Sequence, residues 1–145
     1  MDKIFYTLEP GDAELLPRKA HASDAAYDLR SSRDLTLAPG EFAAVPTGVH
    51  LELPPDYVAD VRPRSGLALK HGVTVLNSPG TIDSGYRGEI QAILVNHGKA
   101  PFEIRRGDRI AQLLFLRLPE CGLVPAEQLG ASDRGDAGFG STGRA

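Results

Sequence analysis

Five short stretches of this sequence combine glycine, charge and small hydroxyls more densely than core packing requires. Arg62-Pro63-Arg64-Ser65-Gly66-Leu67-Ala68 is the most informative. A helix opening at Ser65 and Gly66 leaves backbone N–H groups and the positive end of its dipole free to meet phosphate. Arg62 and Arg64 share one side of an extended strand by the period-two rule, and Pro63 between them confines that strand to an edge. A capped helix beside two solvated arginines accounts for the same residues. Ser65 is a poor covalent nucleophile, because the G-x-S-x-G elbow is absent and no general base is identifiable.

The other four stretches each admit a plain and a chemical reading. In residues 23–32, Asp28 sits among apolar neighbours at a strand start, as a turn aspartate, an anchor for an arginine, or an outer-shell carboxylate for a hydrated metal. Residues 77–89, Asn-Ser-Pro-Gly-Thr-Ile-Asp-Ser-Gly-Tyr-Arg-Gly-Glu, read as a β-hairpin with polar groups near its tip. Its backbone could match the donor and acceptor edge of a pyrimidine, Asp83 could hold a water, and Tyr86 could offer a flat face to a sugar. A turn-rich loop with Tyr86 partly buried fits equally well. In residues 105–113 a Gly-Asp turn leads into an apolar strand, where Gln112 faces a ligand or merely alternates with core residues. Near the C-terminus, Arg134 and Phe139 stand among Gly135, Gly138, Gly140, Ser141, Thr142 and Gly143. That composition suits a disordered tail, or a lid whose backbone lies against phosphate while Arg134 neutralises it and Phe139 stacks on a base for roughly 1–3 kcal/mol. Ordering costs ~1–2 kcal/mol per residue, so such a lid closes only on bound substrate.

The elements that must position these groups are short strands. With 16 Gly and 11 Pro in 145 residues, turns are frequent, and no stretch of ten or more residues carries a clean 3.6-residue apolar period. Strands are predicted at residues 4–8, 35–37, 42–45, 49–53, 57–61, 73–76, 89–95, 102–104 and 110–116. One short helix follows Ser65, which acts as its N-cap, and Gly72 stops it. Many short strands with close turns specify a single all-β domain, a sandwich or jelly-roll-like barrel. From Gly130 onward the apolar content is too low to pack, which predicts a mobile arm.

Composition narrows the partners. A net charge of −3 and a pI near 5.8 argue against a sequence-independent nucleic-acid binder, so a bound polyanion must be held by local arginines and a metal. The single Cys121 has no partner for an intramolecular disulfide, and Met1-Asp2-Lys3-Ile4 lacks the apolar run of a secretion signal, so a cytoplasmic location is expected. No apolar run approaches the ~18–20 residues needed to cross a bilayer. His21, His50, His71 and His97 are too scattered for a zinc site.

Taken in order, the five stretches resemble those of the trimeric dUTP pyrophosphatases, or dUTPases, from about residue 22 to residue 143. Arg-Pro-Arg-Ser-Gly-Leu-Ala, Gly-Thr-Ile-Asp-Ser-Gly-Tyr-Arg-Gly-Glu, Gly-Asp-Arg-Ile-Ala-Gln-Leu and Arg-Gly-Asp-Ala-Gly-Phe-Gly-Ser-Thr-Gly correspond to that family's second to fifth motifs. The first is looser: Ala26 stands where the family usually has glycine, while Asp28 and Leu29 remain. Gly85 replaces an aspartate common before the hairpin tyrosine.

The resemblance implies a jelly-roll-like β-barrel over residues 1–129, the dUTPase β-clip, with one short helix and a flexible arm over residues 130–145. It implies a homotrimer in which the first, second and fourth motifs come from one subunit, the hairpin from a second and the arm from a third. The implied reaction is Mg2+-assisted hydrolysis of dUTP to dUMP and pyrophosphate, which removes dUTP and supplies dUMP for dTTP synthesis. By that likeness Asn77, Gly80, Thr81 and Ile82 bind uracil, Tyr86 lies under the deoxyribose, and Asp83 orients the attacking water. Arg64, Ser65, Gly66 and Gln112 hold the phosphates, and Asp28 supports the site through water bound to Mg2+. Arg134, Phe139, Gly140 and Ser141 close the site from the arm. Two alternatives stand beside this reading. A dCTP deaminase resembles the family in fold and second motif and would release ammonia; a non-catalytic nucleotide-sensing module would bind without releasing pyrophosphate.

Overall fold

Alternating apolar and polar residues become strands wherever glycine or proline punctuates them. In a computed structural model describing residues 2–139 and Gly143, the strands are β1 Phe5–Leu8, β2 Tyr27–Arg30, β3 Leu35–Leu37, β4 Phe42–Pro46, β5 Val49–Glu52 and β6 Tyr57–Arg62. They continue with β7 Val73–Val75, β8 Gly80–Ile82, β9 Gln91–Asn96, β10 Phe102–Ile104 and β11 Arg109–Arg117. In β5 the buried Val49 and Leu51 alternate with His50 and Glu52, as one core-facing side requires. The single α-helix, α1 Ser65–His71, ends at Gly72, whose φ of 67° and N–H to the carbonyls of Ala68 and Leu67 make a left-handed cap. A one-turn 3-10 segment, Ala13–Leu15, carries no sequence signal of its own and is pinned by the buried Leu15.

The strands divide among four sheets, ordered β2-β11-β6-β8, β4-β9-β7, β1-β5 and β10-β3, every pairing antiparallel. One core joins them, drawing Leu29 and Leu113 from the first sheet, Val45, Val73 and Leu94 from the second, Leu51 from the third and Ile104 from the fourth. The all-β, jelly-roll-like architecture is as the sequence indicates. Among the described residues, however, the strands stay grouped in these four sheets and do not close into a continuous barrel.

Two local expectations are corrected. Ser65 is the first helical residue and not the N-cap: Arg64 is extended, at φ −95° and ψ 126°, and its carbonyl accepts the first helical bond from Ala68 N–H at 3.1 Å. The Ser65 hydroxyl is therefore not consumed by capping. Residues 77–89 do not form a two-stranded hairpin either. β8 pairs with β6, Gly80 opposite Val61, and the returning limb crosses to β9 in another sheet. That limb is held instead by side chains, including Glu89, whose Oε1 accepts Gly48 N–H at 2.8 Å.

Candidate active site

The four-stranded sheet sets one row of polar side chains across its strands. Asp28 on β2 lies opposite Gln112 on β11, and Gln112 lies opposite Arg62 on β6. Residues directly opposite one another share a face, so this row faces one side. A β-bulge between Arg109 and Ala111 adds a residue to β11 relative to β2. In a regular strand, positions three apart point to opposite faces; the bulge lets Arg109 and Gln112 line the same cleft.

That cleft measures about 430 Å3 and is lined chiefly by Asp28, Arg64, Ser65, Gly66, Arg109 and Gln112, with the 20–26 loop at its rim. The Asp28 carboxylate sits between two guanidinium groups, 3.5 Å from Arg64 Nε and 3.3 Å from Arg109 Nη1. Arg64 Nη1 also donates to the Arg109 carbonyl at 3.0 Å, and Gln112 Nε2 donates to the Pro63 carbonyl at 2.9 Å. These contacts fix the segment that delivers Ser65 and Gly66, both exposed at the start of α1, where the first N–H groups have no helical partner. At the rim, the His21 N–H bonded to Asp24 at 2.8 Å holds that carboxyl below its usual range. Cations and free backbone donors in one polar cleft suit an anion.

Arg62 departs from the expected pairing with Arg64. Its guanidinium turns back along β6 to Asp60, 2.8 Å away, because that carboxylate is buried and needs a charged partner. Arg64 alone of the two lines the cleft.

A second cleft of about 380 Å3 gathers Thr81, Ile82, Asp83 and Tyr86 with Glu89, Gln91, Ile93 and Ala44. Asp83 and Tyr86 are exposed, and a turn joins them, the Tyr86 N–H donating to the Asp83 carbonyl at 3.1 Å. The Tyr86 hydroxyl donates to the Glu89 carbonyl at 3.0 Å, laying the ring over Gly88, where a Cβ would strike the phenol directly. Gly80 is buried against Val61 and Asn77, its amide close to Gly80, is exposed; neither lines this cleft.

No residue is common to the two clefts. One chain therefore brings Asp28, Arg64, Ser65, Gly66 and Gln112 together, and separately Thr81, Ile82, Asp83 and Tyr86, without joining the two sets. Arg134 folds onto its own turn, Nε donating to the Ala137 carbonyl at 2.7 Å, and Phe139 is fully exposed, so the described residues of the chain's own arm line neither cleft. Gly140 and Ser141 lie outside the described residues. Arg109 escaped the sequence reading: a basic residue after a Gly-Asp turn looks like any strand entry until the bulge is seen. Ala26, in place of the family's glycine, needs no left-handed backbone, since Phe139 is the one non-glycine residue with positive φ among those described.

Comparison with known proteins bears on what these clefts serve. The dUTPase family model matches residues 12–143. A deoxyuridine 5'-triphosphate nucleotidohydrolase of Clostridium acetobutylicum is 52% identical over 132 residues, covering 91% of each chain. Its counterpart in Anaeromyxobacter sp. is 54% identical over 129 residues, covering 89% of this chain and 88% of that one. In three dimensions the Staphylococcus bacteriophage 80alpha dUTPase, solved with dUPNHPP, superposes with a TM-score of 0.90 at 27% identity, over 99% of this chain and 100% of that one. With the family model spanning nearly the whole chain and relatives at half identity over nine-tenths of it, this chain belongs to the dUTPase family of nucleotide hydrolases.

Proposed function

We propose that this chain hydrolyses dUTP to dUMP and pyrophosphate as a homotrimer whose sites are shared between subunits. The observation that carries the reading is the division of the machinery into an anion-binding cleft and a carboxylate–tyrosine cleft with no residue in common. A triphosphate needs the first, its sugar and base need the second, and a heterologous contact closed by threefold rotation supplies each from a different copy. The arm, residues 130–145, closes over the site from a third copy.

In this scheme the Ser65 and Gly66 N–H groups, Arg64 and Gln112 hold the phosphates, while Asp28 keeps Arg64 and Arg109 aimed at them. Asn77, Gly80, Thr81 and Ile82 receive uracil, and Tyr86 underlies the deoxyribose where a 2′-hydroxyl would clash. Asp83 orients a water and accepts its proton as the oxygen attacks the α-phosphorus in line; the bond to the bridging oxygen breaks and pyrophosphate departs. Arg134 reaches the terminal phosphate and Phe139 covers the base, with Gly140 and Ser141 beside them.

The anion cleft offers Asp28, already shared by two arginines, with Asp24 at its rim bonded to the His21 N–H, and the described residues contain no cluster of three metal-ligating side chains. That donor set fits a Mg2+ ion that stays largely hydrated, held mainly by substrate phosphates and reached by Asp28 through water. When bound, Mg2+ supplies neutralising charge to the triphosphate. No described helix is long and apolar enough to cross a membrane. The exposed, unpaired Cys121 suits the reducing cytoplasm, where we place the reaction.

The test is a panel of dUTP, UTP, dTTP and dCTP, each with and without Mg2+, scored for pyrophosphate and ammonia. Pyrophosphate from dUTP alone, enhanced by Mg2+, is the expected result. Ammonia from dCTP would replace the reading with a deaminase, and binding without pyrophosphate would make the chain a nucleotide sensor.

A further inference from the structure

Residues 84–88, which include Tyr86, connect Asp83 to Glu89, and most of their hydrogen bonds stay between residues 83 and 89. Arg87 Nη1 donates to the carbonyls of Ser84 and Tyr86, and the Tyr86 hydroxyl donates to Glu89. Among the described residues, one hydrogen bond ties residues 84–88 to the fold beyond the flanking Asp83 and Glu89: the His50 ring, whose Nδ1 lies 2.9 Å from the Arg87 carbonyl. The other ring nitrogen, Nε2, lies 2.8 Å from Glu9 Oε1.

Both partners are acceptors. A neutral imidazole has a single N–H, so in either tautomer one ring lone pair faces an oxygen lone pair; the imidazolium donates to both at once. We propose that His50, as an imidazolium bridging Glu9 and the Arg87 carbonyl, is a positioning residue that holds the Asp83–Tyr86 loop in register for sugar recognition. This rests on the dUTP reading of Asp83 and Tyr86 given above.

The surroundings favour the charged form. His50 lies on β5 opposite Thr7 of β1, and Glu9 follows that strand. The charged groups that face the ring are Glu9 from the end of β1, Glu52 two positions along the same face of β5, and Arg87 and Glu89 from the loop. Three of the four are carboxylates. The Arg87 carbonyl first, and then Glu9, raise the His50 pKa above its ordinary value, against a smaller opposing effect of burial. Because the folded value is the higher one, the tether is complete below the unfolded pKa of about 6.5 and is lost as pH rises through the folded pKa.

Nitrogen NMR of the whole protein tests this, with the His50 ring and the backbone amides of residues 84–88 followed from about pH 5.5 to about pH 8.5. In the native chain the ring and the loop amides are expected to titrate with one midpoint. In His50→Gln the loop amides no longer titrate over that range, and in Glu9→Gln the midpoint moves to lower pH. Alongside, the ratio of kcat/KM for dUTP over UTP is expected to fall about fivefold above the midpoint in the native chain and to stay flat in His50→Gln. Loop amides that titrate unchanged in His50→Gln, or a ring that titrates without moving them, overturn the tether. A titrating loop with constant selectivity overturns the positioning role. If no nucleotide releases pyrophosphate while ring and loop still titrate together, the dUTP reading fails and the tether itself stands.

Discussion

Asp28 shows how a carboxylate can serve a site while its charge is already engaged. It lies between Arg64 and Arg109, so in the proposed reaction its effect on phosphate binding would pass through the direction of two guanidinium groups. Asp83 is different, exposed in its cleft and free to meet solvent. Asp83→Asn is therefore expected to lower turnover by about a thousandfold while leaving substrate affinity within a few-fold, since an amide still accepts a hydrogen bond but cannot take a proton. Pyrophosphate release, set against calorimetric binding of a non-hydrolysable dUTP analogue, measures both. Tyr86 depends on a neighbour of a different kind. Its ring occupies the space above Gly88 where a Cβ would stand. Gly88→Ala must push the phenol aside, and the selectivity for dUTP over UTP should fall about tenfold with little change in thermal stability. Unchanged selectivity in that variant would remove Tyr86 from sugar discrimination.

At the scale of elements, register does most of the work. The bulge in β11 turns Arg109 into the cleft, and the same strand, paired on both edges, carries Gln112 between Asp28 and Arg62. The second sheet is closed off at the end of β9 by Asn96, which is fully buried. Its Nδ2 donates to the carbonyls of Leu37 and Ala100, each at 2.9 Å, and its Oδ1 accepts the Gly98 N–H at 2.8 Å. One side chain thus joins β3, β9 and the turn after it, with every polar atom of the amide engaged. Asn96→Ala would strand the buried Leu37 carbonyl and leave the Ala100 carbonyl and Gly98 N–H to find water, and a loss of about 2 kcal/mol is expected. The midpoint and slope of urea unfolding would show it; a midpoint indistinguishable from the native one would mean that water replaces the amide.

For the whole molecule, the arm and the folded body make separate contributions. The last strand ends at Arg117, and residues 119–137 and Phe139 are exposed, with no strand or helix among the described residues there. Removing residues 130–145 should leave the unfolding free energy within about 0.5 kcal/mol of the native value, because almost no apolar area is uncovered. Turnover of dUTP should nevertheless fall about a hundredfold, as Arg134 and Phe139 are lost from the closed site. Unfolding and pyrophosphate release measured on the same truncated protein separate these effects; full turnover would end the role of the arm as a lid. The two clefts make a matching demand on assembly, since a chain that stays monomeric in sedimentation while hydrolysing dUTP at full rate would contradict shared sites.

The sequence by itself determined the local features. Period-two alternation marks β5, Gly72 stops the helix because its left-handed φ suits no other residue as well, and four of the five motif stretches hold most of the residues that line the two clefts. These follow from sterics and spacing within a few residues. Only the tertiary structure decided which of those residues meet. Strand pairing is non-local, and a shift of one residue turns every side chain to the other face. The turn of Arg62 toward Asp60, the arrival of Arg109 through a bulge, the crossing of residues 77–89 between sheets and the capture of the Arg87 carbonyl by His50 all depend on such pairings. Each joins residues that gain their neighbours only when the sheets come together.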